Sequence, residues 1–154
     1  MRHPVHVAVL CAFLTLPAAP LLADCSQPAL AHEQQNAATI QRLEAAWTLA
    51  YLTGETSLER CLLAPDFIEI MSDGAIDHLP DELSLAEKNR GKTVSTPPSV
   101  AITVHLHGNV AVAYGLSGKV VDGRHYHQYF ADYYLWGNGA WHVFFAQQTK
   151  FPSA

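Results

Sequence analysis

The sequence lacks the short motifs that mark several common kinds of active site. It contains no glycine-rich phosphate loop, no Ser-His-Asp arrangement and no Cys-x-x-Cys pair, so nucleotide, classical hydrolase and thiol-redox chemistry have no support. Charged residues make up only 15% of the chain, and no cluster of basic residues occurs. With a formal net charge of −5, the protein is a poor match for nucleic acid or for an anionic membrane surface.

The chain does have enough apolar residues for one packed domain. Hydrophobic residues fill 49% of its 154 positions, which is more than a disordered chain contains. The length fits a single domain. No internal repeat or low-complexity segment is visible, so we expect one folded unit.

The first 23 residues have the pattern of a secretory signal peptide. An apolar run from Val5 to Leu16 is followed by prolines and small residues up to Ala23, and the run is too short to cross a bilayer comfortably. Cleavage is expected after Ala23, although the small residues that end at Ala31 offer a second site. The mature protein, with a leader at 24–35, is therefore predicted to be periplasmic or secreted and free of the membrane.

Cleavage after Ala23 leaves two cysteines, Cys25 and Cys61. In an oxidising compartment such a pair is a candidate disulfide, which would tie the mature N-terminus to the second helix. The alternative is that Cys61 is a small buried apolar residue and Cys25 lies on a loose tail.

Hydrophobic periodicity and turn residues divide the rest of the chain into helices followed by strands. Helices are predicted at 36–53, 58–63 and 80–89, and short strands at 67–71 and 75–77. Four longer strands are predicted at 100–107, 109–121, 124–136 and 140–149. This order predicts an α+β domain over residues 36–150, with the N-terminal helices packed over the concave face of a curved antiparallel sheet.

The last two strands are predicted to form a hairpin around Asn138 and Gly139, a pair typical of two-residue turns. This turn places Trp136 opposite Trp141 and Asp132 opposite Phe145. One face of the predicted hairpin carries Phe130, Asp132, Tyr134, Trp141, Val143, Phe145 and Gln147. The other face carries Tyr133, Leu135, His142, Phe144 and Ala146.

The order and spacing of these elements resemble the nuclear-transport-factor-2-like superfamily. The motifs that carry the resemblance are Ile40-x-x-Leu43-Glu44-x-x-Trp47, Leu62-Leu63-Ala64-Pro65-Asp66-Phe67 before Asp73-Gly74, Gly108-Asn109-Val110-Ala111-Val112, and Asp132-x-Tyr134 ahead of Gly139-x-Trp141-x-Val143 and Gln147. They span about residues 36–150 and look most like a branch of small proteins of unknown function, related in fold to ketosteroid isomerases and polyketide cyclases. The resemblance implies a cone-shaped α+β fold with an interior pocket.

The resemblance does not identify the catalytic residues of this chain. The isomerases of the superfamily pair a catalytic acid with a tyrosine and a second acid, and this arrangement cannot be carried over residue by residue. A basic residue that often precedes the strand acid is also missing here, because Gln128, Tyr129, Phe130 and Ala131 come before Asp132.

Asp132 is the predicted catalytic residue. Burial among Phe130, Tyr134 and Phe145 would raise the pKa of its carboxyl group, which suits an acid or base that works near neutral pH. Tyr134 and Gln147 are expected to hold a polar group of the ligand. The alternative is a structural carboxylate, hydrogen-bonded to Gln147, to a tyrosine hydroxyl or to the helix above.

Trp47 and Tyr51 lie one turn apart on the first predicted helix and are expected to face the same interior. With Phe130, Tyr134 and Phe145 they are predicted to bind a small, largely apolar ligand, and no cofactor is expected. The alternative is that these aromatic residues only fill the hydrophobic core.

The histidines form two pairs with the alternation of a strand metal site, His105-x-His107 and His125-x-His127. The strand between them is about ten residues long, so at roughly 3.3 Å per residue the pairs are about 30 Å apart. A four-histidine site within one subunit is therefore excluded, and only a surface site of two histidines stays open.

These observations predict an exported small-molecule-binding domain with an apolar conical pocket and acid-base chemistry of the isomerase, dehydratase or cyclase type. The alternative is a non-catalytic ligand-binding or structural module. That alternative is supported by the second hairpin face, with Tyr133, Leu135, Phe144 and Ala146, which is expected to be covered in a homodimer.

Overall fold

The computed structural model describes Cys25 and residues 27–94, 101–121 and 124–150. The predicted signal peptide and the turn at Asp122 and Gly123 lie outside the described residues, and so do the side chains of His125 and His127.

Three α-helices occupy the first half of the described chain. They are α1 (Ala37–Thr53), α2 (Thr56–Leu62) and α3 (Leu79–Glu87), and a short 3₁₀ helix, Pro28–Leu30, precedes them. Helix α1 begins where the side chain of Asn36 accepts a hydrogen bond from the Thr39 backbone N–H at 2.8 Å, an N-cap that satisfies a free donor of the first turn. It ends at Gly54, whose φ of +75° is the left-handed conformation that glycine adopts at helix ends.

Six strands form one mixed sheet. They are β1 (Leu63–Ile70), β2 (Ile76–His78), β3 (Ala101–His107), β4 (Val110–Val121), β5 (Arg124–Gly137) and β6 (Ala140–Lys150). Their order in the sheet is β2-β1-β6-β5-β4-β3. Strands β3 to β6 form the predicted antiparallel meander, and the predicted α+β fold class is confirmed. The sheet is mixed rather than purely antiparallel, because β1 runs parallel to β6.

The β5–β6 hairpin has the predicted register only near its turn. Trp136 pairs with Trp141, and Tyr134 pairs with Val143, as predicted. A β-bulge at Phe144 then shifts the register, so that Asp132 pairs with Ala146 instead of Phe145. The predicted register is wrong beyond this point, because one extra residue in a strand reverses the face of every residue after it.

The hydrophobic core lies between α1 and one face of the sheet. Helix α1 contributes Ile40, Leu43 and Trp47, which pack against fully buried residues of the strands. The strand residues in this core are Leu63, Phe67, Ala111, Ala113, Tyr134, Trp141, Val143 and Ala146. Small alanines on β4 let the helix approach the sheet closely, so the interior lies directly beneath α1.

The N-terminal segment is held to the domain at two places. Cys25 and Cys61 lie at disulfide-bonding distance, with Cα atoms 5.5 Å apart, as the predicted bridge requires. Trp141 donates its backbone N–H to Glu33 at 2.6 Å and its indole N–H to the Gln34 carbonyl at 3.0 Å. The leader therefore packs against the start of β6.

Within residues 25, 27–94, 101–121 and 124–150, no helix is both long enough and apolar enough to cross a membrane.

Candidate functional site

The centre of the site is a pair of buried acids, Glu44 and Asp132, which we call the dyad. Glu44 projects from α1 and is 4% exposed, and Asp132 projects from β5 and is 7% exposed. Their side chains are hydrogen-bonded to each other. The hydroxyl of Tyr134, which is fully buried, donates to Glu44 Oε1 at 2.7 Å. Two carboxyl groups bond in this way only when at least one carries a proton.

Burial sets the protonation of the dyad. It raises the pKa of Asp132 well above its usual range, and the nearby Glu44 charge raises it further. Burial also raises the pKa of Glu44, to about 7, although hydrogen bonds from Tyr134 and Asp132 act in the opposite direction. Because the two carboxyl groups are hydrogen-bonded to each other, the pair holds at least one proton, and at neutral pH Glu44 lies close to its own titration point.

Sequence reasoning did not select Glu44, although its position contains a clue. On a helix, residue 44 lies four positions after Ile40 and three before Trp47, so it falls inside the apolar stripe. An acid in such a stripe is either buried with a partner or at the rim of a pocket.

A second group of buried acids lies beside the dyad. It consists of Glu59 on α2, Glu69 on β1 and Glu82 on α3, which we call the carboxyl cluster. They are 0%, 4% and 5% exposed. Glu69 accepts a hydrogen bond from the Gln148 amide at 2.5 Å, and the Trp47 side chain lies close enough to Glu82 to oppose the rise in its pKa.

The sheet register joins the two groups. Ala146 pairs with Asp132 on one side and with Glu69 on the other, so both acids lie on the same face of the sheet as Ala146. At about 4.8 Å between neighbouring strands, their backbones are about 10 Å apart. The charge of Glu69 accordingly contributes to the raised pKa of Asp132.

Glu59 is the member of the carboxyl cluster whose hydrogen-bonding capacity is left unused. Both of its carboxyl oxygens are buried without a hydrogen-bond partner. Burial raises its pKa to about 7. Burial raises the pKa of Glu82 to about 8, with further contributions from the charges of Glu69, Glu59 and Asp77.

Among the described side chains, no basic group neutralises these acids. Each buried charged residue found in the described part of the chain is acidic. The ion pair found there, between Arg90 and Glu87, lies at the surface. The interior is therefore acidic and uncompensated, and its carboxyl groups hold protons to an unusually high pH.

The bulge at Phe144 changes the position of two predicted ligand-binding residues. Phe145 pairs with Tyr133, and the two rings meet edge to face at 5.4 Å on the outer side of the sheet. Gln147 is exposed, and Gln148 is the amide that reaches the interior acids. The predicted placement of Phe145 and Gln147 on the inner face is therefore wrong, because the register reverses between Val143 and Phe145.

Other candidate residues lie on the inner side of the sheet or on α1, and their role in ligand binding stays a prediction. Tyr134 is fully buried beneath α1, and Phe130 lies two residues before Asp132 on the same face. Trp47 is buried and packs edge to face on Phe67, with ring centroids 6.0 Å apart.

Tyr51 lies at the end of α1 closest to the carboxyl cluster. Burial raises the pKa of Tyr51 to about 12, and the charges of Glu82, Glu69 and Glu59 raise it further. The phenol therefore stays protonated and is available as a hydrogen-bond donor among acceptors.

Metal ligands do not converge in this part of the molecule. Across residues 25, 27–94, 101–121 and 124–150, no three acidic, histidine or cysteine side chains come close enough to share an ion. The backbone places the histidine pairs at opposite ends of β4, since His107 pairs with Val110 and His125 pairs with Val120.

Comparison with known proteins identifies the fold. No family model matches the sequence, and no curated protein matches it. Solved structures do match. An NTF2-like protein of unknown function from Silicibacter pomeroyi has a TM-score of 0.62 at 15% identity, over 74% of this chain and 94% of its own.

Two further structures agree with this result. An NTF2-like protein of unknown function from Pseudomonas putida has a TM-score of 0.59 at 18% identity, over 73% of this chain and 84% of its own. A CaMKII hub from S. rosetta has a TM-score of 0.64 at 11% identity, over 77% of this chain and 99% of its own. The chain therefore has the NTF2-like fold, as the sequence motifs indicated.

Proposed function

We propose that the protein binds a small, largely apolar molecule beneath α1 and transfers a proton to or from it through the Glu44–Asp132 dyad. The observation that carries this proposal is the dyad itself: two buried carboxyl groups that are hydrogen-bonded to each other, with a tyrosine hydroxyl on one of them. A group whose pKa lies near the working pH is the most effective proton carrier.

Each member of the dyad has a distinct role in this proposal. Glu44, with a pKa of about 7, accepts a proton from a carbon or hydroxyl of the ligand. Asp132 and Tyr134 are protonated donors that stabilise the Glu44 carboxylate and can rotate toward a ligand oxygen on which negative charge develops. Asp132 remains a proton-transfer residue, but as the acid of the pair rather than as a lone base. The reaction class is that of an isomerase, dehydratase or cyclase.

The aromatic residues of the interior supply the apolar contacts. We assign Trp47, Tyr51, Phe130 and Tyr134 to ligand binding, and we replace Gln147 with Gln148 as the interior amide.

The hydrogen bond between Asp132 and Glu44 of α1 also fits the structural alternative, in which the dyad only fixes the helix to the sheet. The experiment must therefore separate binding from folding.

We propose in addition that the protein is exported. The cysteine pair at bonding distance supports an oxidising compartment, and the N-terminal pattern supports a cleaved signal. The mature protein would then be periplasmic or secreted.

A thermal-shift screen with small ketones, lactones, sterols and phenolics tests the binding proposal. A ligand at 100 times its Kd stabilises the folded state by about 2.7 kcal/mol. Wild type, Glu44→Gln, Asp132→Asn and the surface control Glu87→Gln should be compared. The proposal requires a ligand whose effect is lost in the two dyad variants while all four proteins stay folded. If the dyad variants only unfold, the dyad is structural.

A specific observation supports a second candidate function, a structural homodimer. Leu135 is 43% exposed and Tyr114 is 42% exposed on the outer face of the sheet, beside the aromatic pair Tyr133 and Phe145. A CaMKII hub shares the fold. Ala146, predicted on this face, lies inside because of the bulge. Sedimentation of wild type and Leu135→Glu tests this candidate, which requires a dimer that the charge disrupts.

A further inference from the structure

We propose that the carboxyl cluster formed by Glu59, Glu69 and Glu82 binds the ammonium group of an aliphatic amine. The inference rests on the proposed function, since it assumes that the interior admits a small molecule. It adds the chemical class of that molecule, a cation with an apolar body.

The strongest evidence is the unpartnered state of Glu59. Its side chain is completely buried, and neither carboxyl oxygen has a hydrogen-bond partner. Buried polar groups in folded proteins are nearly always paired, because an unmade hydrogen bond costs free energy. A carboxyl group left free in this way is suited to a donor that arrives with a ligand.

The surroundings of Glu59 favour a positive charge. The elements around α2 contribute Tyr51 from α1, Glu82 from α3, Glu69 from β1 and Asp77 from β2, all of which interact electrostatically with one another or with Glu59. Each of these groups is an acid or a phenol, and none carries a positive charge.

The acids suit an ammonium group rather than a metal ion. Among the described side chains, no three potential ligands lie close enough together to hold a metal ion. An ammonium group needs only one carboxylate as its direct partner, which Glu59 provides, and the charges of Glu69 and Glu82 add to the attraction. The neighbouring Trp47 and Phe67 rings offer an apolar surface and aromatic faces that attract a cation.

Binding of the amine must be coupled to loss of protons from the cluster. Glu59 and Glu82 hold protons up to a pH of about 7 and 8 respectively, whereas an alkyl ammonium group stays charged well above that range. The cation pairs with the ionised carboxylate. Affinity should therefore rise with pH between 6 and 8.5, by up to tenfold per pH unit for each proton released.

Calorimetric titration with hexylamine, and with hexan-1-ol as a neutral probe of equal length, tests the inference. We expect the amine to bind at pH 8 at least tenfold more tightly than the alcohol, and more tightly at pH 8 than at pH 6. Glu59→Gln should weaken amine binding at least tenfold and leave alcohol binding unchanged. The surface control Glu87→Gln should bind both probes like wild type.

Each contrary result has a separate meaning. Equal affinity for amine and alcohol, an affinity that does not change between pH 6 and pH 8, or unchanged binding in a folded Glu59→Gln variant overturns the amine site. If the alcohol or another neutral ligand binds and the amine does not, the amine site is wrong and the binding function stands. If neither hexylamine nor any neutral ligand binds, both proposals fall.

Discussion

The hydroxyl of Tyr134 and the carboxyl of Glu44 meet at 2.7 Å, although ninety positions separate them in the chain. This hydrogen bond connects β5 to α1 inside the core, where both residues are buried. It fixes the helix over the sheet and directs Glu44 toward Asp132. The same contact therefore serves folding and the proposed chemistry, and its removal should affect both.

Tyr134→Phe removes the hydroxyl and leaves a buried acceptor with one donor fewer. We expect the free energy of unfolding to fall by roughly 1–3 kcal/mol, the usual cost of such a loss. The loss should be larger at pH 8 than at pH 5, because hydrogen bonds to an ionised acceptor are stronger. Chemical denaturation at both pH values measures this difference.

Tyr133→Phe is the matched control for that experiment. Tyr133 is the next residue on β5, and its ring packs on Phe145 on the outer side of the sheet. Its hydroxyl has no role in the dyad, so we expect a smaller effect without pH dependence. Equal losses in the two variants would show that the bond between Tyr134 and Glu44 contributes nothing specific.

The buried acids should make the protein less stable at high pH. In the folded state the pKa values of Glu44 and Glu59 are raised from 4.5 to about 7, and that of Glu82 is raised to about 8. Between pH 4.5 and these values the folded state holds protons that the unfolded state has released. The stabilisation that these retained protons provide is therefore complete below pH 4.5. It falls as pH rises, by about 1.4 kcal/mol per pH unit for each group.

Urea unfolding at intervals from pH 5 to pH 8.5 measures this dependence. We expect the midpoint concentration of urea to decrease steadily over the range. Glu82→Gln should remove one titrating group and flatten the curve, whereas Glu87→Gln, at the exposed end of α3, should keep the wild-type slope. A midpoint that rises toward pH 8 would contradict the assignment of protonated acids to the interior.

The cysteine pair predicts a stability change on reduction. Cys25 and Cys61 are 36 positions apart, and a bridge across a loop of this size contributes roughly 2–4 kcal/mol. The variant Cys25→Ala/Cys61→Ala should lose this amount, and a reducing agent should destabilise wild type but not the variant. Thiol alkylation of the unreduced mature protein provides the check, since two reactive thiols would mean that no bridge forms.

The hairpin shows how far local sequence patterns determine the structure. Asn138 and Gly139 predict the turn correctly, and the pairing of Trp136 with Trp141 follows from it. The bulge at Phe144 was not predictable, because aromatic and aliphatic residues occupy both faces of β6 and alternation gives no preference between registers. For that reason local patterns predict the register near the turn correctly and misplace Phe145 and Gln147.

Long-range contacts account for the other differences. The parallel pairing of β1 with β6 joins segments about eighty residues apart, and no local motif predicts it. The acids of the interior show the same limitation. Asp132 was identified from its aromatic neighbours on one strand, but Glu44, Glu69 and Glu82 come from three other elements, and only the tertiary fold brings them together.

Gly54 is a position where a single added methyl group should damage the fold. Its φ of +75° disfavours any other residue, and an added Cβ would lie 2.5 Å from the Arg90 backbone nitrogen. Gly74 has a similar φ of +88°, but no atom lies within 4 Å of the added Cβ. Gly74→Ala thus measures the conformational cost alone, which is about 1 kcal/mol. Gly54→Ala adds a backbone clash that costs about 1–3 kcal/mol more.

Thermal unfolding of the two variants separates these contributions. For a domain of this size, 1 kcal/mol lowers the Tm by about 2–4 °C, so Gly54→Ala should melt several degrees below Gly74→Ala. The clash displaces the turn after α3 from the end of α1, and Glu82 lies on α3 two turns before that contact. Gly54→Ala should therefore also weaken any ligand of the carboxyl cluster, whereas Gly74→Ala should not. Equal melting temperatures would mean that the two helices do not pack as closely as the structure shows.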